Sequence, residues 1–423
     1  MPNMFKPAIN EDTVSQKIGE KEKTSKTDEE IKDVTTTQDS ILETPPVSVE
    51  KWDEMKLRED ILRGIYAYGY ENPSPIQKKA ILPMISGRDV IAQAQSGTGK
   101  TATFSIGALS CIDNSLKNTQ VICLAPTREL AIQITSVFTG LSQFVDKISI
   151  MTLVGGVSVE QHTRELRSSP PHIVVGTTGR VFDMIRRRCL KTHSVKMLIL
   201  DEADEMLSSG FKDQVRSIFG YLPDSIQTCI FSATLPRYIF DVTEAFMNNP
   251  IKIVVKAELL TLEGISQYYI PVTDDVQKYE TLVDLYNRFS VSHCIIYTNS
   301  VRRVEDLHQA MTSDGYPVCC IHSNMSKSDR ESALSAFRTG TYRVLISSNL
   351  TARGIDIQQV SCVINFDIPR DVNTYLHRIG RSGRWGRKGA GINFITERDV
   401  PKMREIETFY STQINEMPEN FTV

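Results

Sequence analysis

The sequence predicts an α/β protein of two tandem domains, each a parallel sheet flanked by helices, joined by a short linker and preceded by a disordered N-terminal tail. Three observations predict this organisation. Short apolar runs alternate with longer amphipathic stretches from Trp52 onward, the rhythm repeats after about residue 265, and the first 50 residues are polar and acidic. Such alternation is typical of βαβ units around a parallel sheet.

The tail, residues 1–50, holds 6 Lys and Arg against 11 Asp and Glu, and its only aromatic residue is Phe5. A segment of this kind cannot bury enough apolar surface to offset the entropy of ordering, so we predict disorder. The whole chain carries a net charge of -3. The remainder is therefore only slightly basic, and charge alone does not indicate a polyanionic partner.

The first domain is predicted over residues 51–254 and the second over residues 265–423, with a linker at 255–264. Strands of the first domain are predicted at DVIAQA, VICLAP, ISIMTLVG, HIVVGT, MLILDE and TCIFSA. Strands of the second are predicted at HCIIYTN, PVCCIH, RVLISS, CVINFD and GINFIT. A single large sheet is the alternative, but that many strands in one sheet would be unusual.

The eight cysteines are scattered and form no C-x-x-C pair. Cys123, Cys229, Cys294 and Cys362 lie in apolar runs, so buried reduced thiols are expected rather than disulfides or metal ligands. The longest aliphatic runs, such as MLIL, fall far short of the roughly 20 residues of a membrane span, and no signal segment begins the chain. We therefore expect no membrane contact and a place in the cytosol or nucleus.

The segment AQSGTGKT, residues 94–101, follows a predicted strand and precedes a predicted helix. It fits a phosphate-binding loop except that Ala94 replaces the usual first glycine. Lys100 would reach the β- and γ-phosphates of a nucleotide, and the Thr101 hydroxyl would bind Mg²⁺. A plain Gly-rich turn is the alternative. The nucleotide-binding positions are Ala94, Gln95, Ser96, Gly97, Thr98, Gly99, Lys100 and Thr101.

The segment LILDEADEM, residues 198–206, runs from a buried strand straight into carboxylates. At the carboxyl end of a parallel strand, Asp201 can hold the metal of a bound nucleotide. Glu202 can then orient or deprotonate the attacking water. Alternatively, these acidic residues only cap the next helix, where negative charge is favourable.

From Trp52 to the C-terminus the sequence resembles the DEAD-box ATP-dependent RNA helicases, and more narrowly their translation-initiation factor 4A branch, which includes an exon-junction sibling. The resemblance implies two RecA-like domains that use ATP and Mg²⁺. Besides AQSGTGKT and DEAD, it is carried by the motifs GYENPSPIQ, APTRELA, GG at 155–156, SAT at 232–234, ARGID at 352–356 and HRIGRSGR at 377–384. Stretches such as LRGIYAYGY, VFDMIRRR and ELLTLEGI point to the 4A branch.

The resemblance assigns further ATP contacts. Gln77 matches the adenine-reading glutamine, whose amide can accept from N6 and donate to N7, which favours ATP over GTP. Without the resemblance, Gln77 would count as a surface residue. Tyr70 can stack on the base, and Gly354 and Asp356 match positions near the ribose. Arg381 and Arg384 match arginine fingers, which act in catalysis with Glu202 and Lys100. An isolated arginine cluster would instead be read as a solvated face or as a patch for an acidic partner.

Because the phosphate loop and the arginine fingers lie in different domains, the resemblance implies that hydrolysis requires domain closure. Coupling positions are Asp204, Ser232, Thr234 and His377, although the hydroxyls of SAT taken alone would be simple helix caps. Single-stranded RNA would be held mainly through phosphates and 2′-hydroxyls. The implied RNA-binding positions are Thr127, Arg128, Gly156, Thr178, Gly179, Arg180, Ser348 and Arg353.

Several residues depart from the family pattern. Thr178 replaces a proline, which loosens a stiff turn beside the RNA path. Ser347, Ser348 and Asn349 stand where the family has TTD, so a carboxylate is missing. Ser323 and Asn324 alter the HGDM motif, Lys327 replaces a glutamine, and Trp52 replaces a phenylalanine. Since these changes fall on RNA-facing and domain-coupling motifs, we expect ATP chemistry to be retained and RNA coupling to be altered.

The resemblance therefore implies an ATP-dependent RNA helicase acting in translation initiation on mRNA. A 4G-type scaffold is its implied partner, and the protein is expected to be monomeric on its own. Two alternatives are an ATP-locked RNA clamp and a scaffold-binding protein with weak catalysis. Slow product release would favour the clamp, whereas repeated duplex separation would favour the helicase.

Overall fold

The structure is a computed structural model that describes residues 49–94, 97–207, 210–235, 239, 246–254, 265–288, 293–349, 360–382 and 389–418. The chain divides into two compact units at Val254. The predicted linker, residues 255–264, and residues 1–48 of the predicted tail lie outside the described residues. Within the described ranges, no helix combines the length and apolar character needed to cross a membrane.

The first unit is built on a seven-stranded sheet in the order β3-β4-β2-β5-β6-β1-β7, and every pairing in it is parallel. The strands are β1 Val90–Gln93, β2 Val121–Ala125, β3 Ile150–Leu153, β4 Ile173–Thr177, β5 Met197–Leu200, β6 Gln227–Ser232 and β7 Ile251–Val254. Strands β5, β6 and β1 are neighbours. Their carboxyl ends therefore meet at one edge of the sheet, where ligands bind in open α/β sheets.

Helices connect these strands, as parallel pairing requires. They are α1 Glu59–Ala67, α2 Pro75–Ile85, α3 Lys100–Cys111, α4 Arg128–Leu141, α5 Val159–Ser168, α6 Thr178–Arg186, α7 Ala203–Met206 and α8 Lys212–Phe219, with a 3₁₀ turn at Trp52–Met55. Thr127 and Ser158 cap α4 and α5 by accepting hydrogen bonds from Leu130 N–H and Gln161 N–H. Such caps satisfy backbone donors that a helix start leaves without partners.

The core of the first unit forms where the helices cover the sheet. Every residue of β2 and β5 is buried, as expected for central strands covered on both faces. Ile122, Leu124, Leu198 and Leu200 belong to a cluster that also includes buried residues of α6 and α8. The apolar runs read from the sequence are therefore the strands that anchor the loops at the sheet edge.

The second unit repeats the architecture with a seven-stranded parallel sheet in the order β10-β11-β9-β12-β13-β8-β14. Its strands are β8 Ile265–Pro271, β9 Cys294–Tyr297, β10 Val318–Ile321, β11 Val344–Ser347, β12 Cys362–Asn365, β13 Gly389–Ile395 and β14 Asn415–Glu416. Because β11, β9 and β12 are neighbours, the segments that follow them also meet at one edge.

The helices of the second unit are α9 Asp275–Arg288, α10 Val301–Ser313, α11 Lys327–Arg338, α12 Val372–Ile379 and α13 Val400–Tyr410, and a 3₁₀ turn covers Glu397–Asp399. Ser300, Ser326 and Asp371 cap α10, α11 and α12 through side-chain oxygens. Apolar clusters lie around the sheet, one including Ile295, Tyr375 and Ile406 and the other Ile296, Ile346 and Phe394. The sheet that these helices and clusters cover includes the strands predicted from the second series of apolar runs.

The predicted fold class is confirmed, and the alternative of a single large sheet is wrong because the strands form two separate sheets. Cys123, Cys229, Cys294 and Cys362 are free and buried, as predicted. Val49 is also buried, and Glu50 N–H donates to the Glu54 carboxylate at 2.8 Å. The packed structure thus includes the last two residues of the segment predicted to be tail.

Candidate active site

The phosphate loop leads from β1 into α3. Gly97 and Gly99 have φ values of 84° and 98°, which only glycine adopts without strain. Gly99 is the N-cap of α3 and its carbonyl accepts from Thr103 N–H and Oγ1, at 2.9 and 2.8 Å. Lys100, the first helical residue, is buried. The start of a helix presents N–H donors suited to an anion. Gln95 and Ser96 lie outside the described residues.

Gln77 is packed against this loop and is only 3 % exposed. Its amide oxygen accepts from Ser74 N–H at 2.6 Å, and its amide nitrogen lies 3.5 Å from the Gly99 carbonyl oxygen. A Cβ at Gly99 would lie 2.7 Å from that amide nitrogen. The expectation that Gln77 would be a surface residue without the family resemblance is therefore wrong. Its reading of adenine stays a prediction.

Tyr70 lies half-buried beside Tyr68, with the ring centroids 5.1 Å apart. Its carbonyl accepts a 3.1 Å hydrogen bond from the indole N–H of Trp52. Trp52 is fully buried, so this substitution for phenylalanine is accommodated in the core and adds a donor that fixes the Tyr70 backbone. Stacking of Tyr70 on a base stays a prediction.

The DEAD segment begins where β5 ends. Asp201 N–H donates to the Leu124 carbonyl at 3.1 Å, which extends the ladder, and Asp201 Oδ1 accepts from Glu202 N–H at 3.0 Å. Glu202 has φ 51° and ψ 53°, a left-handed conformation that costs a non-glycine residue about 1 kcal/mol or more. Glu202 occupies the N-cap position of α7, but its side chain makes no capping bond. The helix-cap alternative does not account for this conformation.

In the DEAD segment, buried carboxylates lie close together and repel each other. Burial raises the pKa of Asp201, the neighbouring Glu202 carboxylate also raises it and Lys100 opposes the increase, so that this pKa is about 7. Lys100 and the two carboxylates therefore share one electrostatic environment. A hard divalent cation, which prefers oxygen ligands, would offset the repulsion between these neighbouring carboxylates. The residues present fit Mg²⁺, with Asp201 and Thr101 as the side chains that would hold it.

Asp204 is fixed by the SAT segment at the end of β6. The Ser232 hydroxyl donates to Asp204 Oδ1 at 2.9 Å, and the Thr234 hydroxyl donates to Oδ2 at 3.0 Å. All three residues are buried. Gln93, the last residue of β1, donates to the Ala233 carbonyl at 3.2 Å. The hydroxyls of SAT are therefore not simple helix caps, because they join the end of β6 to the DEAD segment, while the Ala233 backbone is bonded to β1.

Two candidate RNA-binding segments of the first unit are in contact. Thr127 caps α4, and Arg128 is the first residue of that helix. Gly156 has φ 79°, and a Cβ there would lie 2.3 Å from Arg128 Nη1. Only glycine allows the guanidinium to lie this close to the backbone. The structure thus brings Arg128 and Gly156 together, and their contact with RNA stays a prediction.

The TTGR segment forms the start of α6. Thr178 is the first helical residue and is buried, so the replacement lies at a helix start, and the loosening expected from threonine stays a prediction. Gly179 is exposed, and Arg180 Nη1 lies 2.6 Å from Nδ1 of His162 on α5. Burial, followed by Arg180, lowers the pKa of His162. A neutral His162 therefore accepts a hydrogen bond from Arg180 and orients it.

In the second unit, Arg381 follows α12, and its Nε donates to the His377 carbonyl at 3.2 Å. Ser348 follows β11 and its carbonyl accepts from the Ser347 hydroxyl at 2.8 Å. Ser323 and Asn324 are exposed before α11, which begins at Lys327. The other expected positions of this unit, Arg353, Gly354, Asp356 and Arg384, lie outside the described residues.

Arg378, next to His377, is a large polar side chain that is fully buried, with 0 % exposure. Its guanidinium lies over the Tyr297 ring, 5.2 Å from the centroid. Within the described part of the chain its hydrogen bonds go to neutral oxygens, those of the Asn299, Asn349 and Asn365 side chains and the Thr298 and Asp367 carbonyls. Arg378 therefore ties together the segments that follow β9, β11 and β12.

Sequence reasoning missed His162 and Arg378. The HRIGRSGR motif contains Arg378 and is the one sequence signal for it, but the resemblance gives a role only to the arginines that match the fingers. No local pattern marks His162. Its role follows from the packing of α5 against the start of α6.

Comparison with known proteins decides the family. The sequence profile described as DEAD/DEAH box helicase matches residues 74–242, and that described as helicase conserved C-terminal domain matches residues 277–386. "ATP-dependent RNA helicase eIF4A" of Eremothecium gossypii is 54% identical over 372 residues, covering 88% of this chain and 93% of that protein. The chain belongs to the DEAD-box family of ATP-dependent RNA helicases, in its eIF4A subfamily.

Two further relatives agree with this assignment. "Eukaryotic initiation factor 4A" of Caenorhabditis elegans is 51% identical over 372 residues, which cover 88% of this chain and 92% of that protein. Among solved structures, Saccharomyces cerevisiae Dbp5 bound to RNA and ADP BeF3 has a TM-score of 0.82 and 32% identity. That match covers 89% of this chain and 96% of the Dbp5 chain. The resemblance read from the motifs is confirmed.

Proposed function

We propose that this chain is an RNA-dependent ATPase that separates RNA strands locally during translation initiation. The observation that carries the proposal is the shared electrostatic environment of Lys100, Asp201 and Glu202 at the edge formed by β5, β6 and β1. A pair of buried carboxylates beside the positively charged lysine of the phosphate loop is suited to a nucleoside triphosphate and its cation. Membership of the eIF4A subfamily supplies the substrate classes, ATP and RNA.

Hydrolysis joins a water oxygen to the γ-phosphorus of ATP and breaks the bond from that phosphorus to the bridging oxygen, which leaves with ADP. Glu202 accepts the proton of the attacking water, and Lys100 offsets the negative charge of the phosphates. When bound, Mg²⁺ supplies further positive charge against the phosphate oxygens. Arg381 and Arg384 are proposed to stabilise the charge that develops in the transition state.

We propose that RNA binds along residues Thr127, Arg128, Gly156 and the start of α6. Arg128 is held beside the Gly156 backbone and Arg180 beside His162, so each guanidinium has a fixed position from which to contact a phosphate. Contacts to phosphate and 2′-hydroxyl groups carry little sequence information. The protein is therefore proposed to act on many RNAs, with Ser348 and Arg353 contributing from the second unit.

Coupling between RNA and ATP is proposed to differ from that of relatives with the usual motifs. In this chain a neutral Asn349 contacts Arg378, and Thr178 takes the first position of α6. Both replacements lie within segments that the family uses for RNA contact and closure. RNA would then stimulate the ATPase less strongly, although hydrolysis itself is retained.

The proposed setting is the cytoplasm, where the protein, a monomer on its own, works with a helical scaffold of the 4G type. Relatives named as initiation factors support this setting. A clamp that stays locked on RNA with ATP is the second candidate, and the altered segments around Asn349 and Thr178 favour it. The clamp releases products slowly after binding RNA, whereas the helicase separates duplexes repeatedly.

The test is an ATP-dependent duplex-separation assay on the purified chain, with and without a 4G-type scaffold fragment. Glu202→Gln preserves size and hydrogen bonding but cannot accept the proton, so turnover should fall on the order of 100-fold or more while ATP binding is retained. Chelation of Mg²⁺ should abolish turnover of the unmodified chain. Turnover unaffected by Glu202→Gln would refute the assigned role, and locked RNA binding without strand separation would establish the clamp.

A further inference from the structure

A basic groove lies outside the candidate active site, between α5 and the end of α6. Its volume is about 640 Å³, and its lining includes Arg164, Arg167 and Arg187 with the hydroxyls of Thr163 and Ser168. The lining residues of α5 are spaced along one exposed side, while His162 and Leu166 face the core. The groove is therefore formed by the exposed side of α5 and the C-terminal end of α6, both within the first unit.

The charge of the groove is unbalanced. Glu160 is the only acidic residue in its lining, against three arginines. Hydrogen bonds from the backbone and Ser158 lower the pKa of Glu160, so its carboxylate stays charged. Arg187 is paired with Asp183 at 2.8 Å. Arg164 and Arg167 form no ion pair with any of the described residues, which leaves two exposed guanidinium groups one helical turn apart.

The groove lies at the other end of α6 from the proposed RNA path. The first three residues of α6 are candidate RNA-binding positions, and Arg187 follows the last residue of that helix. Nine helical residues span about 13 Å, so a strand at the start of α6 reaches the groove within a few nucleotides. The bond between Arg180 and His162 fixes α5 against α6. The helix that carries the two arginines is therefore held against the helix that begins the proposed RNA path.

We propose that this groove is a second contact for the phosphate backbone of RNA, which holds the part of the strand that extends beyond the primary path. The proposal rests on the proposed function, because it takes the start of α6 as part of the RNA path. Exposed guanidinium groups match phosphate oxygens, and a lining with three arginines and one aliphatic residue, Val159, favours a phosphodiester chain over a folded protein partner. Arg164 and Arg167 are the residues that would carry the contact.

The test compares two single-stranded RNAs by affinity and salt dependence in the presence of ATP. One is the shortest RNA that stimulates the ATPase of the unmodified chain, and the other extends it by roughly 10 nucleotides at either end. Arg164→Gln combined with Arg167→Gln should lower the salt slope for the extended RNA by about 1.4, because each lost phosphate contact is worth about 0.7. Binding of the short RNA and the turnover it stimulates should not change.

Two further variants make the test specific. Arg164→Lys with Arg167→Lys keeps both charges and should retain most of the slope. Lys117→Gln with Arg338→Gln removes two exposed charges elsewhere and should leave the extended RNA unaffected. An equal loss for the short RNA, an equal loss in this control, or no loss at all would overturn the groove proposal while leaving the proposed function intact.

Failure of the proposed function looks different, because the unmodified chain would then bind neither RNA. Polyglutamate provides the remaining arm of the experiment. If the Arg164→Gln and Arg167→Gln variant loses polyglutamate binding but keeps the full salt slope for extended RNA, the groove takes an acidic peptide and the RNA assignment is overturned.

Discussion

Asn349 Oδ1 accepts two hydrogen bonds from Arg378, at 2.9 Å from Nε and 2.6 Å from Nη2. Burial lowers the pKa of Arg378 to about 10, because its charged form is withdrawn from water. The nearby Asp367 carboxylate is already bonded to Lys278 and Arg303. The buried guanidinium is thus held by dipoles at the position where the family pattern has a carboxylate.

Asn349→Asp should stabilise the second unit by about 1 kcal/mol at pH 7, a modest value because residue 349 is exposed. Arg378 lowers the folded-state pKa of the introduced carboxylate. The gain is therefore complete above its unfolded pKa of about 3.9 and is lost as pH falls through the lower folded value. Hydrogen exchange of β12 is the measurement, and it should slow about fivefold at pH 7.

Asn324→Asp is the matched control, since it restores another family carboxylate at an exposed position, where the Asn324 side chain accepts a long hydrogen bond of 3.5 Å from the Ser323 hydroxyl. It should change exchange in β12 by less than a factor of about two. Equal protection in both variants would mean that added negative charge, and not the pairing with Arg378, stabilises the unit. Unchanged exchange in the Asn349→Asp chain would contradict the prediction directly.

Gly99→Ala should weaken ATP binding at least tenfold. The substitution forces alanine into a φ of 98° and places its Cβ 2.7 Å from the Gln77 amide nitrogen. Backbone strain of this kind costs about 1–2 kcal/mol, and displacing Gln77 disturbs its packing against the phosphate loop. Fluorescent-nucleotide titration measures the effect on affinity.

Gly87→Ala separates strain from contact in that experiment. Gly87 has φ 79° but nothing lies within 4 Å of a Cβ built there. This variant should lose stability without losing ATP affinity. If both alanine variants bind ATP like the unmodified chain, the close packing of Gln77 on Gly99 has no part in nucleotide binding.

Much of this site follows from local sequence, and the reasons are physical. A phosphate loop must join a strand to a helix through glycines, and the DEAD carboxylates follow directly after the apolar strand that positions them. Gln77, His162 and Arg378 depend instead on neighbours far along the chain. Gln77 meets Gly99 from 22 residues away and Arg378 meets Thr298 from 80 residues away. Hydrophobic periodicity and motif spacing in the sequence do not indicate contacts between residues this far apart.

Thr234→Val should uncouple RNA binding from hydrolysis. Valine keeps the shape of threonine but removes the hydroxyl that donates to Asp204 Oδ2 at 3.0 Å. A hydrogen bond to a charged group contributes about 1.5–3 kcal/mol, so the DEAD segment loses part of its attachment to β6. RNA-stimulated turnover should fall roughly tenfold while KM for ATP changes by less than about twofold.

Thr234→Ser retains the hydroxyl and should restore most of the turnover, which distinguishes the hydrogen bond from packing. An equal loss in the serine variant would show that the methyl group, which valine keeps, is needed as well as the hydroxyl, so the hydrogen bond alone would not account for coupling. A large increase in KM for ATP would show that SAT supports nucleotide binding and would argue against a coupling role.

Thr178→Pro should preserve the fold and strengthen RNA stimulation of the ATPase. Residue 178 is the first position of α6, where proline is favoured because the N–H has no partner within the helix and φ is already near the helical value. The proline ring stiffens the segment that leads into Gly179 and Arg180, so less entropy is lost when RNA binds, which is worth about 0.4–1 kcal/mol. The RNA concentration that gives half-maximal stimulation should fall about two- to fivefold.

Arg186→Pro, at the last position of the same helix, is the control and should disrupt α6. A Thr178→Pro chain that folds normally but responds to RNA no better than the unmodified protein would show that residue 178 does not limit RNA coupling.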